Sequence, residues 1–197
     1  MRKSGQIYGL LPGPVTALVA LLLPSLAMPA TDTPPLTPTR DVDITYDVTR
    51  PQKPPIRERV RWLAAEHLER VDGTRGSTTI FDRSAHDVTL LTPANRTYRK
   101  LESAPRRPLE PDPGAKLTRA GAATVAGLQC TNWSWTEDTE VHTVCATADG
   151  VPLRLIVDGR TVMAARSVKY GPQPPALFQV PKDYTPALAP EGGPAAE

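Results

Sequence analysis

The chain predicts a mainly-β fold: a single curved antiparallel sheet, an unclosed half-barrel of about 10–12 strands in meander hairpins, with little helix. Three observations predict it. Turn signals recur at strand-length intervals along the sequence. The apolar residues between them alternate, one in and one out. The stretch from Leu128 to Tyr170 reads as four consecutive antiparallel strands tied by one cysteine pair.

Asp149-Gly150 and Asp158-Gly159 each stand between alternating apolar residues, the strongest short hairpin signal. A two-residue loop at Asp158-Gly159 sets Val157 opposite Arg160, Leu155 opposite Val162 and Leu153 opposite Ala164. A two-residue loop at Asp149-Gly150 sets Ala146 opposite Leu153, Val144 opposite Leu155 and His142 opposite Val157. One face then collects Val144, Ala146, Leu153, Leu155, Val157, Val162, Ala164 and Val168. A slip of one residue would expose the whole set.

A first hairpin turning at Glu137-Asp138 asks positive φ of two poorly suited residues. That register nevertheless puts Cys130 opposite Cys145, and Trp133 and Trp135 on the face of Val144. A three-residue turn would move the tryptophans to the face of Thr143 and Arg154. The apolar pattern favours the former. The cysteine pair then lies on the opposite face, among Asn132, Ser134, Thr143, Arg154 and Lys169.

Residues 1–27 read as a secretory signal. Arg2 and Lys3 supply the positive start, Val15 to Leu23 the apolar run, and Ser25-Leu26-Ala27 a cleavage site, with Ala30 as a second. Pro12, Gly13, Pro14 and Pro24 interrupt the run and disfavour a retained membrane anchor. The expected location is the periplasm or the exterior. Two cysteines in such a chain read as one bridge. Metal binding by Cys130, His142 and Cys145 would lack a fourth ligand. No metal and no cofactor is expected.

The full chain has 197 residues and a formal charge of +2. Without Arg2 and Lys3 it holds 21 basic and 21 acidic residues. That balance argues against nucleic acid as a partner. An aromatic content of 5% leaves little for a stacking platform.

Residues 28–40 form a Pro/Thr-rich extended lead-in. The curved domain spans 41–184. Asp41 to Thr49 alternates without fault, with Val42, Ile44, Tyr46 and Val48 on one face. Pro51, Pro54 and Pro55 predict a loop. Arg57 to Ala64 predicts a second strand, with Val60, Trp62 and Ala64 facing one way and Arg57, Arg59 and Arg61 the other. A helix over Arg57 to Arg70 is the weaker reading. Strands follow at His67 to Asp72, Thr78 to Asp82, His86 to Thr92 and Arg96 to Leu101. Residues 103–114, with four prolines, form a linker. A short strand at Lys116 to Ala120 precedes a turn bracketed by Gly121 and Gly127. Leu177 to Val180 predicts a short edge strand, and 185–197 a disordered tail.

Three pieces carry a resemblance: Val125-Ala126-Gly127-Leu128-Gln129-Cys130, Cys145 through Arg154, and Phe178-Gln179-Val180-Pro181-Lys182-Asp183-Tyr184. Together they resemble an uncharacterised family of exported bacterial proteins. That family is similar to the outer-membrane lipoprotein carriers and to the sensor domain of periplasmic anti-sigma regulators. The resemblance covers Asp41 to Tyr184 and implies an unclosed barrel with helices against its concave face. The proline-rich linker departs from the carriers, since it offers no convincing amphipathic helix. A family of unknown role transfers no catalytic residues.

No catalytic constellation is present in the sequence. His67, His86 and His142 are scattered, and Gly73 to Gly76 lacks the lysine and spacing of a phosphate loop. The expectation is a non-catalytic protein that holds a lipid or acyl chain on the apolar concave face. The alternative is a structural or regulatory domain that meets an envelope protein and packs that face with its own side chains. For the first, His142 and Arg166 would meet the polar end of an amphipathic ligand, and Trp133, Trp135, Leu155 and Val162 would line the site. For the second, His142 and Arg166 reach solvent at strand ends and the tryptophans are core. The stripe Arg57, Arg59, Arg61 is either a site for anionic headgroups or an acidic partner, or a solvated face balanced by acids such as Glu58 and Glu69.

Overall fold

The computed structural model describes residues 34–74, 76–101 and 109–187. The signal segment, the start of the lead-in, the first half of the proline-rich linker and the last ten residues lie outside the described residues. The described residues form one twelve-stranded sheet that does not close into a barrel.

In chain order the strands are β1 (Val42–Arg50), β2 (Lys53–Leu63), β3 (Leu68–Asp72), β4 (Thr78–Asp82), β5 (Asp87–Thr92) and β6 (Thr97–Leu101). Then follow β7 (Thr118–Val125), β8 (Leu128–Glu137), β9 (Glu140–Ala146), β10 (Pro152–Val157), β11 (Arg160–Tyr170) and β12 (Thr185–Pro186). Their spatial order is β12-β6-β5-β4-β3-β2-β1-β11-β10-β9-β8-β7. Two meanders therefore meet where β1 pairs with β11, and among the described strands only the β12–β6 pair is parallel. Helix is limited to two short 3₁₀ turns among the described residues, Ala64–Glu66 and Pro175–Phe178.

The hairpin at Asp158-Gly159 has the expected turn, with both residues at positive φ and Val157 paired to Arg160. A bulge between Leu155 and Ile156 then moves the partner of Leu155 from Val162 to Met163. The turn at Asp149-Gly150 is one residue longer than expected. Thr147 N–H donates to the Val151 carbonyl at 2.9 Å, leaving Ala148, Asp149 and Gly150 in the loop. A bulge after Pro152 absorbs the extra residue, so Pro152, not Leu153, faces Ala146, while Val144–Leu155 and His142–Val157 pair as expected.

The β8–β9 turn falls at Asp138-Thr139, not Glu137-Asp138, with Asp138 at positive φ. The register moves by two residues, which preserves parity. Trp133 stays on the face of Val144 and now pairs with it, but Cys145 stands opposite Asn132, and the bridge to Cys130 runs diagonally. The two sulfur atoms are bonded to each other across a Cα separation of 5.4 Å, so the cysteines are not thiolate ligands.

Four other expectations change. β2 begins at Lys53 and includes Pro54 and Pro55. The prolines are tolerated because β3 pairs only from Arg59 onward and the β1–β2 register shifts there. Gly121 does not start a turn; it sits inside β7 at φ +90° where the register slips, and the turn is Ala126-Gly127. Leu177 lies in a 3₁₀ turn, with Pro175 at its start setting the backbone angle. Thr185 and Pro186, placed in the disordered tail by sequence, pair with Thr97 and Tyr98 of β6.

The core falls into three clusters. Val42, Ile44, Tyr46, Val60 and Trp62 are buried in one cluster that also takes in the disulfide and Leu153. Trp133, Trp135, Val144 and Leu155 form a second with Leu109 of the linker, and Leu117 just beyond it packs against them. Phe178, from the 3₁₀ turn, joins a third with Leu63, Ile80 and Leu91. Ile80 pairs with Arg70, and Arg70 with Arg61, so this third cluster lies on the arginine face of the sheet. The C-terminal segment therefore packs against the outer face and leaves the inner face of β1 to β4 uncovered by it.

Candidate binding site

The inner face is set by parity. On β1, Tyr46 and Val48 follow Val42 and Ile44 at every second position. On β2, Glu58, Val60 and Trp62 do the same, with Tyr46 paired to Glu58 and Val48 to Ile56. Glu69 and Val71 of β3, and Thr79 and Phe81 of β4, continue the row. On the other side Leu155 pairs with Met163, which pairs with Val48.

Apart from Val42, Ile44 and Ile56, these residues line a cavity of ≈ 510 Å³, together with Thr49, Pro51, Leu109, Pro152 and Val162. That volume falls in the range of small-molecule sites, about 300–1,000 Å³. The phenol of Tyr46 donates to the Pro152 carbonyl at 2.6 Å, tying β1 to the opposite wall. The cavity is shallow toward the β1–β2 turn. Val42, Ile44 and Tyr46 are buried and Val48 is half-buried; Trp62 and Val60 are buried and Glu58 is half-buried.

Two carboxylates interrupt the apolar lining. Glu69, 4% exposed, accepts from Nε and Nη2 of Arg83, whose guanidinium also stacks over the Phe81 ring at 4.4 Å. Glu58 has neither a hydrogen bond nor an ion pair among the described residues. Burial raises its pKa, opposed in part by the positive charge of Arg50. Among the described residues, no lysine, arginine or histidine lines the cavity.

The residues singled out by sequence divide. Leu155 and Val162 line the cavity. Trp133 and Trp135 are buried with Val144 and Leu109 and do not line it. His142 stands on the expected face, but its ring stacks on Trp135 at 5.2 Å, with Nε2 3.6 Å from Glu140, outside the cavity. Arg166, expected on the apolar face, is instead the unpaired residue of a bulge between Ser167 and Ala165. Its guanidinium lies 3.5 Å from Asp47 and is largely exposed, because the extra residue turns it outward.

The arginine stripe carries paired charges, exposed at Arg57 and Arg59 and buried at Arg61, and its partners are not Glu58 and Glu69. Arg57 meets Asp47, Arg59 forks onto Asp43, and Arg61 meets Asp43 and Asp72. Arg59 holds the Asp43 carboxyl below its ordinary pKa, first by hydrogen bonding and then by charge. Asp72 is also low: burial pushes it up, and hydrogen bonds from Arg70 and Thr78 together with the charges of Arg70 and Arg61 more than offset that.

The fold defined by this geometry is an open one-sheet half-barrel with an apolar inner face. It is similar to that of an uncharacterised conserved protein from Thermus thermophilus, with TM-score 0.54, 16% identity, and 76% of this chain and 90% of that chain covered. It is similar also to MucB, with TM-score 0.51, 14% identity, and 75% of this chain and 60% of that chain covered. A Pseudomonas aeruginosa MucA/MucB complex matches with TM-score 0.47, 13% identity, and 75% of this chain and 58% of that chain covered. No protein-family model matches the chain, and no curated protein matches it in sequence.

Proposed function

We propose that this chain is an exported, non-catalytic binding module of the cell envelope that holds a lipid or acyl chain on its inner face. The observation that carries this reading is the cavity between β1–β4 and β10–β11. It is enclosed by Tyr46, Val60, Trp62, Phe81, Leu155 and Met163, and no described part of the C-terminal segment fills it. A greasy concavity with few polar groups is the usual form of a small-molecule site. The Cys130–Cys145 bridge supports an oxidising compartment. The membership suggested by the three resembling pieces belongs to this proposal as well.

Native mass spectrometry of protein isolated from its own envelope tests it. The expected spectrum carries an acyl-bearing adduct that delipidation removes. A bare mass across independent preparations would count against the reading.

A second reading, a protein partner, is favoured by the edge of the sheet. The outer edge of β7 pairs with no described strand, and most of its residues are exposed, whereas β12 covers β6. An open edge can accept an added strand. MucB, similar in fold, is described in complex with MucA. Cross-linking at β7, with adducts lost on Thr124→Pro, would support this reading.

A further inference from the structure

We propose that the inner cavity selects an amphiphile with a cationic head, and that Glu58 is the group that recognises it. The inference rests on the acyl-binding reading above and names the ligand class for that site.

The argument starts from charge. Of the two carboxylates lining the cavity, Glu69 is held by Arg83. Glu58 has no hydrogen bond or ion pair among the described residues; it feels the positive charge of Arg50 without an ion-pair contact, and it sits in an apolar wall between Tyr46 and Val60. No described lysine, arginine or histidine lines the cavity, so nothing in its described wall would pair with the carboxylate of a fatty acid or with a phosphate. An anionic head would stand against the Glu58 carboxylate at the half-buried mouth and be repelled by it. An ammonium or guanidinium head would give Glu58 the partner it lacks.

Position agrees with charge. Burial falls along β1 and β2 toward their shared turn, from Trp62 and Ile44 at the closed end to Ile56 and Pro51 at the open one. Glu58 lies where the half-buried part begins. A tail laid along Val60, Trp62, Val71 and Phe81 would leave its head beside Glu58, within reach of water. The wholly polar site of a cation-binding protein is not needed, since the tail supplies the apolar burial.

The test compares probes of one tail length. Dodecylammonium, dodecanoate and dodecyl maltoside, each below its micelle concentration, are titrated into the purified protein and followed by calorimetry. The expected result is that the ammonium binds about tenfold tighter than the maltoside, and the carboxylate more weakly than either. Glu58→Gln should bring the three within about threefold while the maltoside affinity stays as it was. Glu69→Gln is not a suitable control, because it would strand Arg83; Glu66→Gln, which removes an exposed carboxylate outside the cavity, is, and should keep the preference. Equal binding of all three probes by the unaltered protein would overturn the inference and leave the acyl site standing. Tighter binding of dodecanoate would overturn it also. Binding of none would remove the acyl site and the inference together.

Discussion

Leu153 and Leu155 stand two residues apart on β10, and truncating each to alanine should have different consequences. Leu153 is fully buried and is not in the cavity wall. Leu155 is 3% exposed, packs on Trp133, Trp135 and Val144 on one side, and borders the cavity on the other. Removing a packed leucine side chain costs about 2–5 kcal/mol, more where the void cannot collapse. Leu153→Ala should fall near the top of that range, about 4–5 kcal/mol, since its neighbours surround it. Leu155→Ala should lose about 2–3 kcal/mol, because the atoms removed already lack partners on the cavity side. For a domain of this size each kcal/mol moves the midpoint by about 2–4 °C. Urea melts of the two variants give the losses directly. A bound amphiphile at a hundred times its dissociation constant should add about 2.7 kcal/mol to the unaltered protein and to Leu153→Ala, and markedly less to Leu155→Ala. Equal losses near the top of the range, with the amphiphile acting equally on both variants, would refute the reasoning. They would mean that Leu155 is enclosed core and that the inner face is filled by the protein itself.

Three further outcomes are expected. Reducing the Cys130–Cys145 bridge, which spans a sequence separation of 15, should lower stability by about 3 kcal/mol, read by denaturant melts with and without reductant; non-reducing peptide maps should find the linked pair. Asp43 and Asp72 have folded pKa values below their ordinary ones. Their contribution to stability is therefore present above the ordinary carboxylate range and is lost as pH falls through the lowered folded values. Asp43→Asn should flatten the acid limb of a stability-against-pH curve, and an unchanged limb would contradict the Arg59 pairing. Gly150→Ala should be worse than Gly159→Ala. Both sit at positive φ, but a Cβ at Gly150 would meet the Thr37 carbonyl oxygen at 2.0 Å, while Gly159 faces open space. The expected losses are well over 1 kcal/mol against about 1 kcal/mol.

The fold class was legible because the sheet's hairpins are local and its alternation is clean. Val42 through Val48, Thr78–Asp82 and the turn at Asp158-Gly159 needed nothing beyond period two and turn chemistry. Bulges were not legible. The extra residues near Pro152, Ile156 and Arg166 have no sequence mark of their own, and each displaces the pairs beyond it. That is why Arg166 left the apolar face and why Met163 replaced Val162 opposite Leu155. The diagonal disulfide comes instead from the position of the β8–β9 turn: a two-residue register shift keeps every side chain on its face and leaves no trace in the pattern.

The candidate site was half legible. Leu155 and Val162 were visible as apolar positions flanking a turn. Glu58 was missed although its signal was present: it shares parity with Val60 and Trp62, not with the arginines, and so is a lone acid on an apolar strand face. Phe81, Val71 and Leu109 reach the cavity only because β1–β4 and β10–β11 face each other across the sheet's concavity, which depends on β1 pairing with β11 over more than a hundred residues. No local pattern encodes that pairing.

The most direct test of a ligand on the inner face is a crystal structure of the protein with a bromine-tagged dodecyl chain. The account predicts an anomalous bromine peak in the cavity between Trp62, Leu155 and Met163. A peak only on the outer face beside Phe178, or an empty inner face at saturating probe, would contradict it.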